Sequence, residues 1–176
     1  LDNVKFINNQ ATGYGGAIYV SLAVDLSLTQ VTFSENSADR GGAIYLNRTP
    51  KTLLIENSKF VNNHATSAQG DGGAICLYDT WTSSSLIGSL IIKNTQFFQN
   101  TASRYGGAIY WNTSAAITTM IENVVFSQNE AKDGGAIYGY RGTLDITKSS
   151  FLDNEAQRDG GAIYGYRGTL DITKSS

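Results

Sequence analysis

Apolar and polar residues alternate along this chain in short runs, broken by glycine pairs. Leu26-Ser-Leu28, Leu53-Leu-Ile55, Leu90-Ile-Ile92, Leu144-Asp-Ile146 and Leu170-Asp-Ile172 share one pattern, an apolar residue at every second position. A period of two is the signature of a strand with one buried face. The fifth repeat carries a weak version, Thr119-Met120-Ile121, and the first keeps only Leu1. Each run is followed by Phe-x-x-Asn-x-Ala: Phe6/Asn9/Ala11, Phe33/Asn36/Ala38, Phe60/Asn63/Ala65, Phe97/Asn100/Ala102, Phe126/Asn129/Ala131 and Phe151/Asn154/Ala156. Then comes Gly-Gly-Ala-Ile-Tyr, at Gly15–Tyr19, Gly41–Tyr45, Gly106–Tyr110, Gly134–Tyr138 and Gly160–Tyr164, with Gly72–Cys76 as the variant copy.

One unit is thus written six times, with a partial seventh, and a repeat of this length fixes the architecture. The phenylalanines stand 27, 27, 37, 29 and 25 residues apart, too close for helical crossovers between the strands. We therefore expect an all-β, single-stranded parallel β-helix of about six coils of roughly 25–27 residues. Parallel connections favour the right-handed form. No coil buries enough apolar surface to fold alone, so each depends on the coils above and below. Residues 1–176 form a single continuous array, and both ends fall in mid-pattern, which reads as a segment of a longer chain. Insertions near 66–71, 79–89 and 111–119 should loop out of the stack, taking Trp81 and Trp111 with them.

In-register stacking predicts columns of like residues. Asn9, Asn36, Asn63, Asn100, Asn129 and Asn154 should form a structural amide ladder. In Ala-Ile-Tyr the isoleucine should face inward. Tyr19, Tyr45, Tyr110, Tyr138 and Tyr164 then form an outward stripe, widened by Tyr78, Tyr140 and Tyr166. That stripe is either an aromatic platform for glycans or another β-helix, or a self-stacked ladder that stiffens the sheet. A third reading turns the column inward, with alanine making room. Residues 133–150 and 159–176 are identical, so Asp145 should stack on Asp171, Arg141 on Arg167 and Lys148 on Lys174.

Composition narrows the function. Net charge is −2 and charged residues are 16%, which suits no nucleic-acid backbone. No segment has the length and apolarity of a membrane span, and no leader is visible. The single cysteine, Cys76, excludes an intrachain disulfide and reads as a structural substitution for tyrosine. His64 is the only histidine, which leaves no histidine-based metal cluster and no triad. The carboxylates Asp71, Asp133, Asp145, Asp159 and Asp171 read as solvated surface, with weak calcium binding at Asp71, Asp133 or Asp159 as the minor alternative. No catalytic residue, metal ligand or cofactor site is assigned. Asn47-Arg-Thr49 and Asn112-Thr-Ser114 match the N-glycosylation sequon, so Asn47 and Asn112 are candidate glycan sites in a secreted eukaryotic protein.

The pairing of Gly-Gly-Ala-Ile with Phe-x-x-Asn resembles the repeat of the chlamydial polymorphic outer-membrane proteins, over essentially the whole chain. The resemblance implies a parallel β-helix, display at the cell surface and adhesion. It implies no catalytic residues. The expected role is therefore a structural or adhesive extracellular rod, whose partners are other copies, end to end or laterally, or environmental glycans and surface proteins. A carbohydrate-binding or carbohydrate-active module is the alternative.

Overall fold

Stacking of short parallel strands accounts for the whole described chain. The computed structural model describes residues 1–21, 25–47, 52–79, 88–113 and 117–176. Every strand pairs in parallel with its counterpart one coil away, in register but for one shift between Ala131 and Asp133 against Glu155–Asp159, and no residue is helical among those described. The architecture is the expected β-helix of six coils, here numbered by their phenylalanines.

The coils build four strand faces, one more than the sequence suggests, and coil 1 alone lacks a strand on the second. The Phe face stacks Lys5–Ile7, Thr32–Ser34, Lys59–Val61, Gln96–Phe98, Val125–Ser127 and Ser150–Leu152. A second face, the extra one, stacks the short strands Ser37–Ala38, His64–Ala65, Thr101–Ala102, Glu130–Asp133 and Glu155–Asp159. The third holds the strands that open at the isoleucine of Gly-Gly-Ala-Ile, and the fourth the Leu-x-Ile strands. These last two join in coils 5 and 6, where Ile137–Thr147 and Ile163–Thr173 run unbroken from one face to the other.

Two corners of each coil turn on a single left-handed residue. Asn8, Glu35, Asn62, Gln99, Gln128 and Asp153 turn the corner after the Phe strand, all with φ between 52° and 57°. Asn3, Gln30, Asn57, Asn94, Asn123 and Lys148 turn the corner before it. Asparagine tolerates this conformation better than most residues. The glycine pair serves two separate needs, as coil 2 shows. Gly41 has φ +62°, a region costly for side chains, whereas Gly42 is close-packed: a Cβ there would lie 2.2 Å from the Gly73 carbonyl oxygen of the next coil.

The interior is a set of columns. Phe6, Phe33, Phe60, Phe97, Phe126 and Phe151 stack with ring centroids 4.8–4.9 Å apart and planes within 9°. The isoleucines of Gly-Gly-Ala-Ile and the Leu-x-Ile residues pack against them. Asn36, Asn63, Asn100 and Asn129 are fully buried beside this stack. Each Oδ1 accepts the backbone N–H and the Nδ2 of the preceding asparagine; Asn63 Oδ1, for example, accepts both from Asn36, at 3.1 and 2.9 Å. Each Nδ2 also donates to the phenylalanine carbonyl of the coil before, as Asn63 does to Phe33. Every polar atom of the amide is thereby satisfied.

A second buried ladder has no counterpart in the sequence reading. Val31 N–H donates to Ser58 Oγ, Ser58 N–H to Thr95 Oγ1, Val124 N–H to Ser149 Oγ and Ser149 N–H to Ser175 Oγ. One core position is poorly suited: Thr119 stands where neighbouring coils have Leu90 and Leu144, and its buried hydroxyl finds no partner.

Candidate interaction surface

The strands after the glycine pairs sort their side chains to two sides, as alternation requires. Ile18, Ile44, Ile75, Ile109, Ile137 and Ile163 join the core, and the tyrosines take the opposite side. All ten tyrosines gather on this outer face. Tyr14 stacks on Tyr45 at 4.5 Å and Tyr105 on Tyr138 at 4.5 Å; Tyr138 stacks on Tyr164 at 4.7 Å and Tyr140 on Tyr166 at 5.2 Å.

The stripe is not the open surface expected of it. Tyr45 is 4% exposed and Tyr110 2%, whereas Tyr19 remains 47% exposed. The cover comes from the residues just before each glycine pair: Tyr14, Arg40, Asp71 and Tyr105. Burial raises the Tyr45 and Tyr110 hydroxyls far above the ordinary phenol range and pushes Tyr138 up to about 12. Ring faces are spent on one another, so the column offers ring edges and hydroxyls outward. A sugar ring stacks on an aromatic face, and little such face is free.

The aromatic column breaks at coil 3, where Cys76 pairs in register with Tyr45 on one side and Tyr110 on the other. An ion cluster lies beside the break. Asp71 is fully buried, and Arg104 of the following coil grips it with both prongs, Nε to Oδ1 at 2.8 Å and Nη2 to Oδ2 at 2.6 Å. Arg40 of the preceding coil approaches at 3.8 Å and lies over the Tyr78 ring. Burial pushes the Asp71 carboxyl up, against the pull of Arg104 and Arg40, while the bond to Asp71 raises the Arg104 guanidinium. The Cys76 thiol is also driven up, by burial first and then by Asp71, and is a poor nucleophile.

Asp133 repeats the arrangement. It is buried and held by Nε and Nη2 of Arg158, one coil on. Asp71 and Asp133 are therefore not the solvated carboxylates expected of them, because an arginine from the next coil folds over each. Those guanidiniums occupy the oxygens that calcium would need, and no three potential metal ligands cluster among the described residues. Asp145 does face outward and pairs in register with Asp171. Arg141 and Arg167 lie over the rings of Tyr140 and Tyr166.

Asn47 and Asn112 share one column with Tyr78, Tyr140 and Tyr166. Both are half-buried. Asn47 Nδ2 donates to the Tyr19 hydroxyl at 3.4 Å, and Asn112 hydrogen-bonds Tyr110. Trp111 enters the core and does not loop out: its strand, Ile109–Thr113, pairs with Ile75–Asp79, and the alternation carries the indole inward. Trp81 lies outside the described residues. The Asn9 to Asn154 ladder sits on the far side of the core from the tyrosines and presents nothing to a partner.

The repeat geometry is matched by sequence relatives. Residues 3–21, 30–47, 57–78, 94–110, 123–140 and 148–166 each match the Chlamydia polymorphic membrane protein (Chlamydia_PMP) repeat. The chain belongs to that family. Among its relatives, the probable autotransporter YfaL of Escherichia coli is 35% identical over 149 residues, 78% of this chain and 12% of the relative. The probable outer membrane protein pmp7 of Chlamydia pneumoniae is 34% identical over 159 residues, 84% of this chain and 16% of its own length. A transmembrane domain-containing protein of Dictyostelium discoideum is 37% identical over 83 residues, 46% of this chain and 5% of the relative. The chain thus spans less than a fifth of these curated relatives. No solved structure matches it.

Proposed function

We propose that this chain is a rigid segment of a cell-surface β-solenoid, which displays adhesive contacts along one corner. The family supports surface display, since the relatives are named as outer membrane proteins and a probable autotransporter. The carrying observation is where the repeat varies. In sequence, the variable stretches 21–25, 48–51, 80–88 and 114–117 each separate the Ile-led strand from the next Leu-x-Ile strand, so the described strand ends that flank them line one edge of the coils. The Phe and Asn corners keep one length throughout. The connection before the glycine pair also lengthens in coil 3, at residues 66–71, but the larger variation lies at this edge, and variation at the edge of a rigid scaffold is how a contact surface changes without cost to the fold.

Asn47, Asn112 and the exposed end of the tyrosine face flank this edge, where glycans or a surface protein would meet it. Among the described residues no acid–base constellation supports catalysis: Asp71 and Asp133, the buried carboxylates there, are both paired with arginine. To test the reading, residues 80–87 are replaced by a two-residue glycine-containing link and protein-coated beads are applied to cells and immobilised matrix proteins. Loss of wild-type bead attachment is expected. Equal attachment by the shortened chain, folded by circular dichroism, overturns it.

A further inference from the structure

Two tyrosines stand directly before a glycine pair, Tyr14 before Gly15 and Tyr105 before Gly106. Neither belongs to the column that runs through the Gly-Gly-Ala-Ile-Tyr blocks, yet each reaches the column tyrosine of the following coil. Tyr105 stacks on Tyr138 with ring centroids 4.5 Å apart and planes 23° from parallel, and Tyr14 stacks on Tyr45 at 4.5 Å and 29°. In both copies this contact is closer than the one made by the in-register tyrosine of the preceding coil. Tyr110 lies 5.5 Å from Tyr138, and Tyr19 lies 5.8 Å from Tyr45. One device thus brings two phenols together twice: Tyr-Gly-Gly in one coil and Gly-Gly-Ala-Ile-Tyr in the next. The other coils carry Arg40, Asp71, Asp133 and Asp159 at the position before the glycines.

Tyr105 is held firmly in this contact. Its backbone bridges Asp71 in one neighbouring coil and Asp133 in the other, and its carbonyl accepts the Gly72 N–H at 2.8 Å. The Arg104 guanidinium, fixed by its two bonds to Asp71, lies over the Tyr105 ring, 4.6 Å from the centroid. Tyr105 and Tyr138 are both half-buried, so the pair is ordered and still open to solvent. Burial keeps the Tyr138 phenol protonated, with its pKa pushed up to about 12. Two phenols held in contact react with each other in preference to a partner that must diffuse in.

We propose that Tyr105 with Tyr138, and by the same geometry Tyr14 with Tyr45, are sites of oxidative cross-linking to dityrosine. The co-reactant is a one-electron oxidant, such as hydrogen peroxide acting through a haem peroxidase. Each phenol gives up one electron and its hydroxyl proton. The two phenoxyl radicals join by a carbon–carbon bond between ring positions ortho to oxygen. The hydrogens on those two carbons then move to the oxygens and restore both phenols. One peroxide takes up the two electrons and two protons and leaves as two waters. The new bond ties coil 4 to coil 5, so that seam is closed covalently.

To test this, the whole chain carrying Tyr164→Phe is oxidised with peroxide and a haem peroxidase, then cut with trypsin. That substitution removes a competing contact, since Tyr164 stacks on Tyr138 at 4.7 Å, and it distinguishes peptide 159–167 from its twin 133–141. The expected product joins peptide 105–132 to peptide 133–141 and weighs two hydrogens less than their sum, with fragmentation placing the bond at Tyr105 and Tyr138. Its yield holds on about tenfold dilution of the protein and falls about tenfold when the chain is oxidised in denaturant. Tyr105→Phe keeps the ring and its stacking, removes the phenol and abolishes the product. The proposal is overturned if the product is absent, if dityrosine forms only between chains and declines on dilution, if the yield is equal in denaturant, or if the product persists in the Tyr105→Phe chain.

Discussion

The asparagine–phenylalanine corner and the tyrosine face are both columns of repeated residues, yet one is unbroken and the other is interrupted. At the first, each residue stacks on its own copies above and below, and the other columns that pack against it repeat as it does. Asn63 takes two hydrogen bonds from Asn36 and gives two to Asn100 and one to Phe33. A change in any coil strands groups in two others. At the tyrosine face the neighbours include the residues before the glycine pairs, which change from coil to coil through the first five: Tyr14, Arg40, Asp71, Tyr105, Asp133. There a column position answers to its local cover. Cys76 is tolerated because an ion cluster stands beside it. Uniformity marks the places where a coil is read only by other coils.

The sharpest way to break this contrast is at the ladder. Asn63→Ala strands the Asn36 N–H, the Phe33 carbonyl and part of Asn100 in a dry interior. A loss of about 4 kcal/mol is expected, at ~1–3 kcal/mol for each orphaned group. The same change at the half-buried Asn154 should lose much less. Equal losses by chemical denaturation would dissolve the distinction between inner and terminal rungs.

On the tyrosine face the corresponding site is Asp71. Asp71→Asn leaves Arg104 and Arg40 without their shared carboxylate, and a loss of about 3 kcal/mol is expected. Combining Asp71→Leu with Arg104→Leu should recover most of it, measured by a double-mutant cycle. Cys76→Tyr would complete the aromatic column, but at about 2 kcal/mol of overpacking against that cluster. A gain in melting temperature for this variant would show that the break is incidental. The smallest effect concerns His64, on the short second face, whose Nδ1 lies 2.7 Å from Thr101 Oγ1. Partial burial lowers its pKa, so the fold favours the neutral ring. Its contribution is complete above about pH 6.5 and is lost as pH falls through the lower, folded-state value. Proton NMR titration should place the ring's midpoint below that of an unfolded histidine, and a midpoint at or above it would contradict the assignment.

The columns made the fold legible before any coordinates. Phe-x-x-Asn and Gly-Gly-Ala-Ile repeat at coil length, and alternation puts isoleucine and tyrosine on opposite sides, although the sequence leaves open which of them faces in. What the sequence hides is contact between columns of mixed composition. Arg104 and Asp71 are 33 residues apart, and their pairing recurs in one other place among the described residues, as Arg158 with Asp133, too seldom to stand out as a column. The hydroxyl ladder is illegible for another reason: Val31 and Val124 share its column with Ser58, Thr95 and Ser149, and valine and threonine differ little in shape. Trp111 was misplaced because its neighbours suggested an insertion, whereas the space that receives it is left by Gly139, one coil away.

Every strand of this rod lies across the direction in which the coils accumulate. Tension applied along the rod therefore loads one inter-coil seam at a time, like adhesive tape peeled from its end, and not all seams together. Under such a pull the chain should lengthen stepwise, a coil per event. With coils 25 to 37 residues apart, each event releases about 85–125 Å of slack at full extension. A tether built this way yields by paying out length at a steady force, and the spacing of its asparagines sets the size of each step.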